Sequence, residues 1–329
     1  MLRVGLVGAG NIGREHLACL LQLDEVRVVA VADPVLDLAR DLANRAGATA
    51  YADYRDLVGL VDAVWICTPT FLHAEQTITF AEAGVHVFCE KPIALDLAGA
   101  DRMIAAARSA GVQLMIGHVI RYYPETVLLK RLVEEGELGE PVFAFGRRLM
   151  ASAVEKHAGW RRDVRLSGGL AMDSAVHEVD TVRWLAGEVA TVYGRVVYAD
   201  PSYPEVDTDF RALLGLRGGA TGAVEFSIHM PFRDWSWGVV GTRATAVSPR
   251  RGEVRVARLG EREERVIGVD PIVDPASRVN QMMLAENRAF VESIRQGVPP
   301  PIPGEEGRRN LEVILAIYES SREGRPLAL

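Results

Sequence analysis

A glycine-rich segment near the start of the chain constrains the fold more than any other part of the sequence. It follows a short apolar run, precedes a stretch with helical periodicity, and has the sequence Gly8-Ala9-Gly10-Asn11-Ile12-Gly13. In this position the Gly-x-Gly-x-x-Gly spacing predicts a strand–turn–helix unit that binds a dinucleotide. Gly8 permits the tight turn, Gly10 lets a pyrophosphate approach the backbone, and Gly13 permits close packing of helix on strand. The amides at the helix start, at Asn11 and Ile12, would then face the phosphates.

An acidic residue, Asp33, ends the second apolar run, 20 residues after Gly13. A carboxylate at this distance can bind both hydroxyls of the adenosine ribose. The same charge would repel a 2′-phosphate, and the following Pro34-Val35 offers no arginine to receive one. The sequence therefore predicts NAD rather than NADP as the cofactor. The alternative is a glycine turn with Asp33 as an acidic helix cap.

Strands and helices alternate through the first third of the chain. Short apolar runs occur at residues 2–7, 26–32, 63–67, 85–89 and 112–116, with a weaker one at 49–51. Stretches with helical periodicity separate them, at residues 12–23, 35–46, 71–83 and 97–110. Near-continuous apolar strands separated by helices indicate a parallel sheet with helices on both faces. We therefore predict an α/β Rossmann domain, with a doubly wound parallel sheet, over residues 1–120.

The rest of the chain has a different pattern, in which turns join the strands. Strand-like stretches lie at residues 143–150, 191–198, 208–216, 220–228 and 237–240, and helices are expected from Pro124 and at residues 277–296 and 305–319. Turn signals such as Arg217-Gly218-Gly219 favour a mostly antiparallel sheet. A chain of 329 residues also exceeds the roughly 250–300 residues at which one core stops growing. We predict a second, α+β domain over residues 121–329, which binds the substrate.

Composition excludes several classes of protein. The formal net charge is −7, with 44 acidic against 37 basic residues, which argues against nucleic acid as a partner. No apolar run approaches the roughly 18 residues needed to span a membrane. Three cysteines without a CxxC pair favour a reducing compartment, and a strand directly after Met1 leaves no room for a signal peptide. We expect a cytoplasmic protein without a membrane partner.

Two segments follow buried strands of the predicted parallel sheet, at the edge where ligands of such sheets bind. They read Cys67-Thr68-Pro69-Thr70-Phe71-Leu72-His73 and Cys89-Glu90-Lys91-Pro92. An ammonium between a buried strand and a proline is costly unless it meets a partner, so Lys91 is predicted to lie in the active site. His73 is either a cofactor contact or a capping or surface histidine. The contacts expected on the nicotinamide side of the cofactor are Thr68, Pro69, Thr70, His73, Glu90 and Lys91.

A glycine pair followed by a predicted helix carries the second group of candidate residues. Asp173 and His177 follow Gly168-Gly169 and are four residues apart, hence on one helix face. Removal of a hydride from a carbinol needs a group that accepts the hydroxyl proton, and histidine does this near neutral pH. Asp173 can orient the imidazole or a second hydroxyl. Such a pair also occurs on helix surfaces or as half of a metal site, but no further Cys or His spacing supports a metal.

With these motifs, the chain resembles the glucose–fructose oxidoreductase/inositol dehydrogenase/rhizopine-catabolism (Gfo/Idh/MocA) family over essentially all of its length. The segments that carry the resemblance are the glycine fingerprint, Thr68-Pro69-Thr70-x-x-His73, Glu90-Lys91-Pro92, the run from Gly168 to His177, and Ala316-Ile317-Tyr318-Glu319-Ser320. The resemblance implies a Rossmann domain and a larger α+β domain whose open sheet mediates dimers or tetramers. It also implies oxidation of a sugar or cyclic polyol, or the reverse reduction. The implied catalytic trio falls on Lys91, Asp173 and His177, and the implied Lys-Pro bond is often cis.

One segment departs from the pattern of that family. Gly117-His118-Val119-Ile120-Arg121-Tyr122 stands where many inositol dehydrogenases have Gly-Phe-x-Arg-Arg, which argues against an inositol as the substrate. The candidate substrate contacts are Arg121, Tyr122, Trp160, Arg161, Asp173 and His177.

The resulting expectation is an NAD-dependent dehydrogenase that acts on a CH–OH group of a sugar or polyol. Two other functions compatible with this fold are a non-catalytic regulator that senses NAD or a sugar, and an NAD-dependent glycoside hydrolase. A sensor needs no proton acceptor, and related hydrolases tend to be exported. The complete trio and the expected lack of an export segment therefore favour the dehydrogenase.

Overall fold

The strands of the N-terminal part form one parallel sheet in the computed structural model, which describes residues 1–157, 159–269 and 280–329. The strands are β1 (Leu2–Val7), β2 (Val26–Ala32), β3 (Thr49–Tyr51), β4 (Ala63–Ile66), β5 (His86–Glu90) and β6 (Leu114–Gly117). Their order is β3-β2-β1-β4-β5-β6, and every neighbouring pair is parallel. The central strands are almost wholly buried, as their continuous apolar sequences predict. The predicted doubly wound sheet is therefore confirmed.

A second sheet follows, and its strands are mostly antiparallel. They are β7 (Pro141–Ala151), β8 (Val189–Val197), β9 (Asp209–Leu216), β10 (Thr221–Ser227), β11 (His229–Gly241), β12 (Ala244–Arg250), β13 (Glu253–Arg258), β14 (Glu264–Gly268) and β15 (Leu327–Ala328). The order is β14-β13-β12-β11-β7-β10-β9-β8-β15, and only the β7–β10 pair is parallel among the described strands. This confirms the predicted class of sheet. The sequence pattern missed β12, β13 and β14, although β13 alternates polar residues with the buried Val254 and Val256.

Helices accompany both sheets. They are α1 (Asn11–Leu20), α2 (Leu36–Ala46), α3 (His73–Glu82), α4 (Leu97–Ala110), α5 (Pro124–Glu134), α6 (Val164–Ser167), α7 (Leu170–Ala186), α8 (Gln281–Gln296) and α9 (Gly304–Glu323). Short 3-10 helices lie at Tyr54–Leu57, Thr70–Leu72, Val119–Tyr122, Val154–Lys156 and Gly159–Arg162. The described residues form two units, the first comprising residues 1–119 and 280–309 and the second residues 120–269 and 310–329.

Helix α8 belongs to the first unit, although the sequence pattern places it in the second domain. Its Phe290 is buried against the rings of Trp65 and Phe88, with centroid distances of 5.3 Å and 5.9 Å. An amphipathic pattern shows that a helix has a buried face but does not identify its packing partner. Residues 277–279, the predicted start of this helix, lie outside the described residues.

Helix α7 covers one face of the second sheet at two close approaches. A Cβ added to Gly146 of β7 would lie 3.0 Å from the Glu178 side chain, and one added to Gly222 of β10 would lie 2.8 Å from Val182. Both partners are residues of α7. Glycine at these positions lets the helix backbone approach the strands directly.

The opposite face of the same sheet carries a continuous row of apolar side chains. Phe145 pairs with Ala223, Ala223 with Leu213, and Leu213 with Tyr193, across four neighbouring strands. Leu213 is 62% exposed and Tyr193 39% exposed. This face is called the open face below.

The first turn of α7 is held by residues from distant parts of the chain. The amides of Leu170 and Ala171 donate hydrogen bonds of 2.8 Å and 2.6 Å to the two carboxylate oxygens of Asp207. The Tyr318 hydroxyl donates to the same carboxylate at 3.1 Å and accepts from the Met172 amide at 3.3 Å. Three amides that a helix start normally leaves unsatisfied therefore have partners.

The glycine pair before α7 makes room for this arrangement. Gly168 and Gly169 have φ angles of +76° and +113°, which L-residues rarely adopt. A Cβ on Gly169 would collide with the Asp207 carboxylate and lie 2.6 Å from the Tyr318 hydroxyl. The Gly-Gly run and the Tyr318 segment therefore act together, although about 150 residues separate them in the sequence.

We predict that Asp207→Ala destabilises the protein by about 2–4 kcal/mol, because it removes the buried acceptor of two amides. Asp96→Ala is the matched control: exposed Asp96 caps α4 through one bond of 2.6 Å to the Gly99 amide, and its loss should cost about 1 kcal/mol. Urea unfolding of the purified variants measures both values. Equal losses in the two variants would contradict the role given to Asp207.

Candidate active site

The three fingerprint glycines have different structural requirements. A Cβ on Gly8, which has φ +96°, would lie 2.7 Å from the Cys67 carbonyl oxygen, and one on Gly13 would overlap the Gly8 carbonyl. No atom lies within 4 Å of a Cβ built on Gly10. The protein itself therefore requires the first and third glycines, whereas the space beside Gly10 is open.

The start of α1 is suited to bind a pyrophosphate. Gly10 caps the helix without a side-chain hydrogen bond, and the first turn contains no acidic residue. Gly10 and Asn11 are exposed, and Ile12 is partly exposed. Amides that lack helical partners and the positive end of the helix dipole together attract an anion. These residues fit the diphosphate of NAD.

The Asp33 carboxylate is fixed beside the glycine turn. One oxygen accepts from the Ala9 amide at 2.8 Å, and the other accepts from the Val35 amide at 2.8 Å, directly before α2. Each carboxylate oxygen can accept more than one hydrogen bond, and Asp33 is partly exposed. The carboxylate therefore supports the turn and still has acceptor capacity for a ribose.

His73 joins the two segments that follow β4 and β5. Its ring nitrogens lie 2.9 Å from the Pro92 carbonyl oxygen and 2.9 Å from the Thr68 carbonyl oxygen. The residue is 1% exposed, and burial lowers the pKa of its imidazole. Both contacts are with the protein backbone, and the contact of His73 with the cofactor stays a prediction. Beside it, the Thr68 hydroxyl donates to the Gln76 side chain at 2.6 Å.

The Glu90-Lys91-Pro92 segment ends β5 with a cis peptide bond between Lys91 and Pro92, as the resemblance implies. One Glu90 oxygen accepts from the Lys91 amide at 3.2 Å, and the other lies 2.9 Å from His16 Nε2. Burial alone would raise the pKa of Glu90, but the hydrogen bond and charge of His16, with Lys91 and His73, bring it below its usual value. Glu90 is therefore a carboxylate near neutral pH.

His16 is a residue that the sequence analysis did not select. It is fully buried on α1, and its Nδ1 lies 2.9 Å from the Asn287 side-chain oxygen on α8. The same oxygen accepts from Trp65 Nε1 at 2.8 Å. The signal in the sequence is a histidine on the apolar face of α1, four residues before Leu20, but nothing local identifies its partners.

In the second unit, Asp173 and His177 lie on α7 and are both buried. Arg161 Nε donates to the Asp173 carboxylate at 2.9 Å, and its guanidinium lies over the Trp160 ring at 4.4 Å. Burial and the charge of Arg161 lower the pKa of the neighbouring His157, whereas Asp173 raises it. The structure thus brings Arg161 to Asp173 and places the Trp160 ring against Arg161, and a common substrate site for them stays a prediction.

Arg121 has a structural partner that the sequence analysis did not foresee. Its guanidinium donates to both oxygens of Asp180, at 2.9 Å and 2.6 Å, and both side chains are buried. Asp180 also accepts from the Asn310 amide group at 2.7 Å. The expected substrate contact is therefore held in an ion pair with α7. Tyr122, in the same 3-10 helix, is partly exposed.

The predicted trio is divided between the two units. Lys91 belongs to the first unit, and Asp173 and His177 belong to the second. Within the described ranges, no three His, Cys, Asp or Glu side chains are arranged to hold a metal ion. In those same ranges, no helix has both the length and the apolar character needed to cross a membrane.

Comparison with known proteins identifies the relatives of both parts of the chain. Residues 2–118 match the family model described as oxidoreductase family, NAD-binding Rossmann fold, and residues 130–329 match the model for its C-terminal alpha/beta domain. The chain is 31% identical over 337 residues to myo-inositol 2-dehydrogenase of Thermotoga maritima, covering 100% of this chain and 98% of the relative. It is 28% identical over 340 residues to the NAD-dependent scyllo-inositol 2-dehydrogenase of Bacillus subtilis, covering 100% and 96%.

A solved structure agrees in fold over the whole chain. Levoglucosan dehydrogenase in complex with NADH and levoglucosan superposes with a TM-score of 0.91 at 25% identity, covering 99% of each chain. The fold, the fingerprint geometry and these relatives agree on NAD as the cofactor and on an oxidoreductase that acts on CH–OH groups. The chain therefore belongs to the Gfo/Idh/MocA family of NAD-dependent oxidoreductases that act on sugars and polyols.

Proposed function

We propose that the enzyme oxidises one secondary hydroxyl of a sugar or cyclic polyol, or reduces the corresponding ketone, with Lys91, Asp173 and His177 as its catalytic trio. The observation that carries the proposal is the buried pair Asp173 and His177 on α7, with Arg161 bonded to Asp173. The names of the relatives specify two inositols and levoglucosan. We propose an aldose, inositol or related ring. The Gly117–Tyr122 departure, which argues against inositol, stays a prediction.

The cofactor residues have separate tasks in this proposal. The amides of Gly10, Asn11 and Ile12 bind the pyrophosphate, and Asp33 binds the adenosine ribose and disfavours a 2′-phosphate. NAD, when bound, supplies the two-electron acceptor for the carbinol. The nicotinamide side is lined by Thr68, Pro69, Thr70, Glu90 and Lys91.

His177 would accept the hydroxyl proton as the carbinol is oxidised, and NAD, when bound, would take the two electrons that the carbinol loses. The Lys91 ammonium stabilises the negative charge that develops on the oxygen. Asp173, held by Arg161, orients the imidazole or binds a second hydroxyl of the ring. Because Lys91 lies in the other unit, assembly of the trio around one substrate is part of the proposal.

The remaining substrate contacts are assigned by position and chemistry. Trp160 offers an apolar ring face of the kind that packs on sugar rings, beside Arg161 and Asp173. Tyr122 offers a hydroxyl. Arg121 acts indirectly, since its guanidinium binds Asp180 on α7, the helix that carries Asp173 and His177.

We expect Lys91→Ala and His177→Ala each to lower kcat by about 10²–10⁴-fold, because each removes charge or proton transfer from the transition state. NADH formation across a panel of aldoses and inositols measures the effect. His229→Ala is the control, because His229 is an exposed histidine of β11 outside the predicted site. Its Nδ1 lies 2.8 Å from the Asp209 carboxylate. Near-normal turnover of both trio variants on the best substrate would refute the assignment.

Asp33→Ala should lower kcat/KM for NAD by about ten- to a hundredfold, because a charge-assisted hydrogen bond to the ribose is lost. The same change removes the repulsion of a 2′-phosphate, so the preference for NAD over NADP should fall. Asp37→Ala, at an exposed position on α2, serves as the control. Parallel assays with NAD and NADP give the ratio, and an unchanged ratio would be evidence against this role.

We also propose that two copies of the chain associate through the open face. Leu213 and Tyr193 are large side chains on a continuous apolar row, and exposed apolar patches of this kind mark contact surfaces. Such an interface would make the enzyme a homodimer, or a homotetramer if a second interface is present.

Leu213→Asp should shift the protein to monomers, because it places a charge in the centre of the row. Leu259→Asp is the control: Leu259 is more exposed but lies in the turn between β13 and β14. Analytical ultracentrifugation of both variants measures their mass. An unchanged mass for Leu213→Asp would exclude the open face as the interface.

A cytoplasmic location completes the proposal. The three cysteines are free thiols, and Cys19 and Cys89 are buried. Free thiols persist in a reducing compartment. Fractionation of the native host would check this prediction.

A further inference from the structure

The buried contacts of His16 define which of its ring nitrogens carries a hydrogen. Trp65 Nε1 is only a donor, so the Asn287 group 2.8 Å away must present its oxygen. A flipped amide would place two donors against each other. His16 Nδ1 lies 2.9 Å from that same oxygen. It can bond to an acceptor only if Nδ1 itself carries a hydrogen.

The other ring nitrogen of His16, Nε2, also faces a hydrogen-bond acceptor. His16 Nε2 lies 2.9 Å from Glu90 Oε1, and Glu90 is a carboxylate near neutral pH, hence an acceptor only. Nε2 must therefore also carry a hydrogen. With hydrogens on both nitrogens, the imidazole is a cation, and its burial is tolerated because the charge is paired and hydrogen-bonded.

The charged groups around Glu90 leave His16 as its main partner. Lys91 and His73 also act on this carboxylate. His73 directs both ring nitrogens at backbone carbonyls, whereas His16 bonds to the Glu90 carboxylate directly. Lys91 contacts Glu90 through its backbone amide, at 3.2 Å. A series of hydrogen bonds thus connects Asn287 to His16, His16 to Glu90, and Glu90 to the backbone of Lys91.

We propose that His16 is a positioning residue for Lys91, a doubly protonated imidazole that holds the Glu90 carboxylate against the Lys91 amide. The proposal rests on the function proposed above, because the position of Lys91 matters only if Lys91 takes part in catalysis. Gly117 on the neighbouring strand leaves the space that the carboxylate occupies, since a Cβ there would lie 3.0 Å from Glu90 Oε1. With the backbone of Lys91 held from one side, its ammonium starts from a defined position.

Kinetic measurements can distinguish a positioning role of His16 from a merely structural one. His16→Gln removes the cation and leaves Glu90 buried without its main partner, so the Lys91 backbone should shift. We expect kcat to fall about ten- to a hundredfold, because small misplacements of reacting groups lower rates by factors of this size. The KM for NAD should change by less than about threefold. In His16→Gln/Glu90→Gln, two neutral amides can bond to each other and to the Lys91 amide. Because both substitutions act on one contact, the loss of kcat in this double variant should be smaller than the product of the two single losses.

A direct measurement on the unmodified protein avoids dependence on folding of the variants. In ¹⁵N NMR of the histidine rings at neutral pH, both His16 nitrogens should show shifts of the protonated type, because both face hydrogen-bond acceptors. The His16→Gln spectrum assigns the signal, or site-specific labelling does so if that variant does not fold. His229→Gln, at the exposed pair with Asp209, is the matched control for kcat and should leave it unchanged.

The outcomes separate this inference from the proposed function. A neutral-type nitrogen on His16, or additive effects of the two substitutions on kcat, would overturn the positioning role even if Lys91→Ala is inactive. If Lys91→Ala keeps normal turnover, the proposed function fails instead, whatever the His16 spectrum shows. A doubly protonated ring together with a non-additive loss of kcat supports the inference.

Discussion

The hydrogen bonds from the first amides of α7 to Asp207 determine where that helix begins, and the residues further along it depend on that start. Asp173 and Asp180 extend the same pattern, since each meets an arginine from a different segment, Arg161 and Arg121. These are charge-assisted bonds in buried or partly buried surroundings, where they are stronger than neutral ones. Breaking a buried pair by removing one partner typically costs about 3–5 kcal/mol. The helix is therefore anchored along its length by separate parts of the chain.

The first unit prepares its binding surface by another means. At the glycine turn the groups offered to the ligand are backbone amides, and the side chain that organises them is Asp33, bonded to the Ala9 and Val35 amides. Backbone donors need no rotamer to be frozen and stay in place without ligand. At the other edge, two charged or polar side chains, His16 and Glu90, lie behind the backbone of Lys91. The glycine turn and the Lys91 segment are thus held in place by different kinds of contact.

Local sequence patterns predicted the features that depend on local physics. The parallel sheet follows from continuous apolar strands, and the glycine turn before α1 follows from the spacing of Gly8, Gly10 and Gly13, because each requirement involves residues close in sequence. The partners of His16 and Arg121 were not predictable in this way. Asn287 is 271 residues from His16 and Asp180 is 59 residues from Arg121. A local pattern shows that a polar residue is buried, but the choice of its partner is a property of the folded chain.

The position of α8 has a consequence for how the protein is made. Asn287 and Phe290 complete the packing around His16, Trp65 and Phe88, yet they are synthesised after strands β7 to β14 of the second sheet. On the ribosome, the nucleotide-binding unit therefore emerges with its aromatic cluster uncovered and a buried histidine still exposed to water. Its final packing waits for the last part of the chain, so a polypeptide interrupted before α8 leaves an incomplete core that quality-control proteases can recognise.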